Sequence, residues 1–226
     1  MAALTLMSTS TLLFTPPGVY APQGDTELLV RALCREDVDA STDVLDLGTG
    51  SGAVAVEAAR LGARVTAVDI SRLAVFTARV NALLARRRVR VRRGDLTTAV
   101  AGRAYDLVIS NPPYVPSPAD RMPRGGRARA WEAGPDGRVF VDRLCAAAPG
   151  LLRPGGALLV VHSGLCGTDA TLRGLEQGGL HASVVDRAEV PYGPVLRSRR
   201  PWLVRQGLID ETDSHEELVV IRAERP

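Results

Sequence analysis

The sequence predicts an α/β fold, a doubly wound and mostly parallel sheet of seven strands, and three observations predict it. From residue 43 onward, short apolar runs of strand length alternate with stretches of helical periodicity, the pattern of βαβ units with right-handed crossovers. The first run, "DVLDLG", ends in a glycine turn, "GTGSG", that leads straight into a helical stretch. Acidic residues (Asp46, Asp69 and Asp95) stand at the ends of three successive strands.

Taken in order, residues 43–48 read as a buried strand and "AVAVEAARLG" as the helix after the glycines. "ARVTAVD" (63–69) is the second strand, and "SRLAVFTARVNALLARR" the second helix, with Ser71 placed to cap its start. "VRVRRGD" (89–95) alternates Arg with Val, as a strand near a sheet edge does. "YDLVISN" (105–111) is the fourth strand, followed by a loop to about residue 136 and a helix to about 149. "GGALLVVHS" (155–163) is the fifth, with a helix near 168–177. "HASVVDRAEV" and "HEELVVIRA" are the last two, separated by an insert at 191–214. Residues 1–226 read as one domain, with 1–35 as a lead-in.

The 226 residues suffice for one full core. The net charge of +3 is too small to imply nucleic-acid binding by itself. All 28 basic residues are Arg. Cys34, Cys145 and Cys166 are scattered, odd in number and never in a CxxC spacing, so neither a disulfide framework nor a metal site is expected. The N-terminus carries no positive n-region, and no apolar run reaches about 18 residues, which predicts a cytoplasmic protein away from membranes.

The glycine turn offers close backbone approach and the free N–H groups of a helix N-terminus. Gly48, Gly50 and Gly52, with Ala53, satisfy even the permissive dinucleotide pattern G-x-G-x-x-A. Asp46 shifts that reading. A pyrophosphate is repelled by a carboxylate two residues before the first glycine, whereas a cationic ligand is attracted. Asp69 closes the second strand, where a carboxylate can accept both hydroxyls of a ribose, and Asp95 can receive the exocyclic amine of an adenine. The three line one crevice at the carboxyl edge of the sheet, where open α/β sheets bind ligands. A ligand with an amino-acid end, a ribose and an adenine fits them: S-adenosyl-L-methionine, with S-adenosyl-L-homocysteine as its product.

"VISNPPYVPSP" (108–118) breaks off a buried strand on polar Asn111 and stiffens the chain with two prolines, which neither donate backbone hydrogen bonds nor vary φ. Methyl transfer to nitrogen needs a lone pair aimed at a sulfonium carbon roughly 3–3.5 Å away. In a planar amide or aromatic amine that lone pair is delocalised. The side-chain carbonyl of Asn111 and the main-chain carbonyl of Pro112 can accept both N–H bonds of such a group and favour its pyramidal form. Pro112 and Pro113 preorganise those acceptors, and Tyr114 can stack on a planar substrate group. No general base is evident, and a sulfonium donor needs no metal.

The order "DLGTGSG … VD … GDL … NPPY" resembles the class I S-adenosylmethionine-dependent methyltransferases. The resemblance implies seven strands with the last antiparallel. It also implies a cofactor site in which Asp46 and the turn Gly48, Thr49, Gly50 and Gly52 hold the methionine portion. Asp69 takes the ribose, Asp95 with Leu96 takes the adenine, Ile70 is a further cofactor contact, and Asn111 borders both cofactor and acceptor. "GVYAPQGDTELLVRAL" (18–33) and "RARAWEAGPDGRVFVDRL" (127–144) resemble the compact HemK-like protein-glutamine methyltransferases, whose lead-in lays a Tyr and a Thr, here Tyr20 and Thr26, against the cofactor. That group has acids where this chain has Ala21 and Gly24. The resemblance implies a protein or peptide substrate, with a release factor as one candidate, and in some members a small zinc-binding partner subunit.

Three other readings share these motifs: an adenine N6-methyltransferase acting on a flipped base, a small-molecule N-methyltransferase of secondary metabolism, and a cofactor-binding module without catalysis. Length and charge leave little for nucleic-acid recognition, and "ARRRVRVRR" (85–93) reads as a helix end and a solvated edge strand. His162 reads as a strand-end polar group, and His181 and His215 as surface residues at strand starts. Trp131, Tyr192 and Trp202 read equally as pocket wall or plain packing. Arg197, Arg199 and Arg200 face either an acidic partner or solvent.

Overall fold

A computed structural model describes residues 3–6, 12–118 and 131–226. The predicted seven-stranded sheet comprises β3 (Asp43–Leu47), β4 (Arg64–Asp69), β5 (Val89–Arg93), β6 (Tyr105–Ser110), β7 (Leu152–Ser163), β8 (His181–Pro191) and β9 (His215–Glu224). Their spatial order is β5-β4-β3-β6-β7-β9-β8. Pairing is parallel from β5 through β7, and β9 runs antiparallel to both β7 and β8. The last strand in the sequence is therefore the reversed one, as the resemblance implied.

Helices cover both faces. α1 (Gly24–Leu33), α2 (Ala53–Arg60) and α3 (Arg72–Leu84) pack on one side, and α4 (Val139–Leu151) and α5 (Thr168–Gln177) on the other. The strands show why. Val44 joins the core beneath α1–α3, while Leu45 and Leu47 join the core beneath α4 and α5; Leu107 and Ile109 divide from Val108 in the same way. Side chains alternate across a strand, so a continuous apolar run has to be buried on two sides.

The lead-in holds more structure than its sequence disclosed: an antiparallel pair of β1 (Ala3–Leu6) and β2 (Leu12–Thr15), then α1. The insert contains α6 (Pro194–Arg205), which starts on a proline and carries Pro201 inside. A mid-helix proline removes one hydrogen bond and argues against a helix from sequence. Here Leu196 and Leu203 are buried and anchor it regardless. Two boundaries move as well. α3 stops at Leu84 rather than near residue 87, with Arg86 at a positive φ of 53°, and β7 begins at Leu152, before the expected 155, with Gly155 in the left-handed region. β5 lies at the sheet edge as the Arg alternation predicted. Among the described residues, no helix is long and apolar enough to cross a membrane.

One buried side chain joins the lead-in to the sheet layer. Asn81 in α3 is fully buried; its Oδ1 accepts from the Phe14 N–H at 2.8 Å, and its Nδ2 donates to the carbonyls of Phe14 (2.9 Å) and Ser51 (2.8 Å). Asn81→Ala strands three backbone groups at once. It is expected to lower the denaturant midpoint by an amount equivalent to roughly 2–4 kcal/mol, measured by urea unfolding; an unchanged midpoint would show that the lead-in is not held by this side chain.

Candidate active site

The strand order reverses where β3 sits between β4 and β6, so the crossovers leave in opposite directions and a crevice opens at the carboxyl ends. A cavity of about 420 Å³ occupies it. Of the residues singled out in the sequence, Tyr20, Thr26, Asp46, Gly48, Thr49, Gly50, Asp69, Ile70, Asp95, Leu96, Asn111, Pro112, Pro113 and Tyr114 all line it. Gly52 does not. At φ +83° it caps α2, and a Cβ there would come within 2.9 Å of the Ala78 Cα, so it serves the close packing of α2 on α3.

The glycine turn leaves room for a ligand. Gly48 and Gly50 have φ of +72° and +54°, and a Cβ on Gly48 would meet nothing within 4 Å. The turn is pinned underneath, where the N–H groups of Gly48 and Thr49 both donate to the Val68 carbonyl. Asp46 is buried beside it and accepts a 2.5 Å hydrogen bond from the Thr49 hydroxyl. Burial pushes its carboxyl up to about 7, and the neighbouring Asp69 charge adds to the rise, against the lowering by the hydrogen bonds from Thr49 and the Ala55 backbone. A carboxylate held so far from water, facing an open cavity, suits a cationic ligand group. Asp69 accepts from the backbone N–H groups of Gly50 (2.9 Å) and Ser71 (2.8 Å), one on each oxygen. Those bonds fix the carboxylate on the cavity wall. Among the described residues, no cluster of His, Cys, Asp and Glu could hold a metal ion. The open glycine cradle and the buried acid therefore fit S-adenosylmethionine.

Asp95 lines the cavity too, but its carboxylate is also paired with Arg143 of α4 at 2.9 Å, and the Arg143 guanidinium lies 5.6 Å over the Phe140 ring. Phe140 so adds an aromatic wall to the cavity that residue order did not disclose. Leu96 holds a left-handed φ of 46°, a strain of roughly 1–2 kcal/mol for a non-glycine residue.

Asn111 stands just past β6. Its Nδ2 donates to the Thr26 hydroxyl at 3.3 Å, so its carbonyl oxygen is the end left for an acceptor. Tyr114 is buried, with its hydroxyl donating to Asp25 at 2.9 Å, and Tyr20 donates to the same oxygen at 2.8 Å. Burial first, and then the Asp25 charge, hold both phenols well above their ordinary pKa. Beyond the prolines the chain pairs again, Val115 N–H to the Trp131 carbonyl and Ala133 N–H to the Val115 carbonyl. The Cys166 thiol donates to the Tyr114 carbonyl at 3.0 Å. Gly137, at φ +73°, lets that carbonyl come close, since a Cβ there would stand 2.4 Å from it.

Sequence reasoning missed Asp25, Ser110 and Glu216. Ser110 is buried and donates to the Leu47 carbonyl at 2.8 Å, locking the ends of β6 and β3 together. Glu216, the second residue of β9, lies outside the cavity lining, and burial raises its carboxyl to about 7, with the Asp25 charge contributing. Only Asp25 left a signal, as an acid in the first turn of a helix. His162 is fully buried, its Nδ1 2.8 Å from the Ser163 carbonyl, and takes no place in the cavity; His181 and His215 are exposed at strand starts. Trp131 lines the cavity, while Tyr192 and Trp202 pack in the core. Arg199 forms an inward ion pair with Glu132 and donates to the Pro116 carbonyl at 2.8 Å.

The methyltransferase small domain family matches residues 11–122. A Methanocaldococcus jannaschii protein named for protein N5-glutamine methyltransferase activity is 33% identical over 181 residues, 80% of this chain and 90% of that one. The release factor glutamine methyltransferase of Bordetella pertussis is 41% identical over 174 residues, 73% of this chain and 63% of that protein, so the chain spans less than two thirds of that relative. Among solved structures, the E. cuniculi Mtq2–Trm112 complex, responsible for methylating the translation termination factor eRF1, matches with a TM-score of 0.65 and 25% identity over 92% of this chain and 99% of that one.

The folded state holds the Asp46 proton more tightly than the unfolded chain does, so this contribution to stability is complete below 3.8 and is lost as pH rises toward about 7. Urea midpoints measured across that window should fall less steeply for Asp46→Asn than for the unaltered chain. Identical slopes would remove Asp46 as the titrating group.

Proposed function

The chain belongs to the HemK-like family of class I S-adenosylmethionine-dependent methyltransferases, and from that premise we propose that it methylates the side-chain amide nitrogen of a protein glutamine. The observation that carries the reading is the fixed polarity of Asn111. Its NH₂ is engaged by Thr26, so a carbonyl acceptor faces the cavity at the open end of β6, beside the cradle built by Asp46, Gly48 and Asp69.

When bound, S-adenosylmethionine supplies a sulfonium methyl group to an in-line displacement. The chain's part is to bind, orient and exclude. Asp46 would offer charge to the ligand's ammonium end, Asp69 would take the ribose hydroxyls, and Asp95 with Leu96 would take the adenine, with Ile70 and Phe140 also on the cavity wall. The Asn111 side-chain carbonyl and the Pro112 main-chain carbonyl accept the two N–H bonds of the incoming amide. That draws its nitrogen out of conjugation where charge develops. The buried Tyr114 ring and Trp131 wall off water on the acceptor side. α6 belongs to that wall, since Arg199 ties it to Glu132 and to Pro116 of the clamp loop. We read residues 1–226 as one catalytic domain with the 191–214 insert shaping the acceptor entrance.

A release factor is the substrate candidate, from the names of the relatives, and a second subunit is to be supplied in the assay, since Mtq2 is found with Trm112. With a labelled methyl donor, label is expected on a glutamine side chain of recombinant release factor, located by mass spectrometry. Label confined to nucleic acid or to a small-molecule filtrate would overturn the acceptor. Asn111→Ala should cut turnover by roughly 100-fold or more and leave S-adenosylhomocysteine affinity within a few-fold, by calorimetry. Undiminished turnover would take Asn111 out of the chemistry.

A further inference from the structure

Asp25 is a buried acid that the proposed transfer does not use. It is 3% exposed in the first turn of α1, and a carboxylate withdrawn from water is costly unless its lone pairs are used. All of them are. Oδ2 accepts from Tyr20 (2.8 Å) and Tyr114 (2.9 Å), and Oδ1 accepts from the Thr26 N–H (2.6 Å) and the Thr26 hydroxyl (3.1 Å). A carboxylate offers about four acceptor sites, so four donors use its capacity.

The consequence lies one bond further on. A hydroxyl has a single proton, and that of Thr26 is committed to Asp25, so Thr26 Oγ1 presents only lone pairs to Asn111. It meets the Asn111 Nδ2 at 3.3 Å. Were the Asn111 amide turned over, two acceptor oxygens would face each other. We propose that Asp25 is a positioning residue that acts through Thr26 to hold the Asn111 amide in one orientation, carbonyl toward the acceptor, while its other oxygen ties Tyr114 and Tyr20 into the cavity wall. Asp25 touches no reacting atom. It sets the direction of a relay, Asn111 to Thr26 to Asp25, that joins the lead-in helix to the clamp.

The effect on turnover rests on the proposed transfer to a planar amide, whereas the amide orientation is measurable with no acceptor present. The first experiment follows the Asn111 side-chain NH₂ by nuclear magnetic resonance in the full chain, assigned by its loss in Asn111→Asp. Thr26→Val removes the hydroxyl and leaves Asp25 with its two phenols, so the NH₂ protons should exchange with solvent roughly three- to tenfold faster, the worth of one hydrogen bond. Thr26→Ser restores the hydroxyl and should restore protection. Asp25→Ala should reproduce the valine effect; should that variant not fold, the Val and Ser pair carries the test. The second experiment measures kcat on recombinant release factor at saturating S-adenosylmethionine. Thr26→Val and Asp25→Ala should each lower kcat, with a double variant no worse than the poorer single one, because both break one relay. Unchanged exchange in Thr26→Val, or losses that multiply in the double variant, would overturn the proposal. A release factor that is never methylated, with the exchange pattern intact, would instead overturn the acceptor assignment.

Discussion

Parallel pairing of β3 with β4 on one side and β6 on the other is the constraint from which the site follows. Parallel neighbours cannot be joined by tight turns, so each strand hands the chain to a helix, and helices leaving the two sides of β3 diverge. The divergence opens the cavity, and it aims at one volume the residues that end the strands. Every strand-end residue on the cavity wall owes its place to it. Ser110 closes the arrangement by bonding across to Leu47 at the point where the two strands part.

Electrostatics within that volume are one-sided. Asp46, Asp69, Asp95 and Asp25 all border it, while Arg93 is the one arginine on its lining among the described residues. Acids this close raise one another, as the Asp69 charge does for Asp46 and the Asp25 charge for Glu216. Such a concentration of like charge is unfavourable for the bare protein and favourable toward a ligand bearing positive charge. Each acid is also tied to its own donors: Asp46 to Thr49, Asp69 to Gly50 and Ser71, Asp95 to Arg143 and Asp25 to two phenols. The cleft is therefore rigid as well as acidic, and a rigid site loses little entropy when a ligand arrives.

Much of the site was legible because it is built from consecutive residues. The glycine turn, the strand-end acids and the Asn-Pro-Pro-Tyr clamp each carry their chemistry within a few positions. What joins them was not legible. Asp25 meets Tyr114 across 89 residues, Thr26 meets Asn111 across 85, and Arg199 meets Pro116 across 83. Nothing local in "QGDTELL" tells which side of α1 faces the clamp, and an acid in a helix's first turn is common as a mere dipole partner. Gly52 shows the opposite case. It sits inside a binding motif, yet its neighbour is Ala78 of another helix.

The sequence by itself determined the alternation of strands and helices, the order of the acids and the stiff clamp, because periodicity, glycine freedom and proline rigidity act over a few residues. It could not show that α6 forms around Pro201, that the lead-in holds an antiparallel strand pair, or which end of the Asn111 amide lies against Thr26. Those were decided by tertiary structure. A helix with an internal proline stands only where buried Leu196 and Leu203 hold it, and an amide has a preferred face only where a hydroxyl with its proton already committed lies against it.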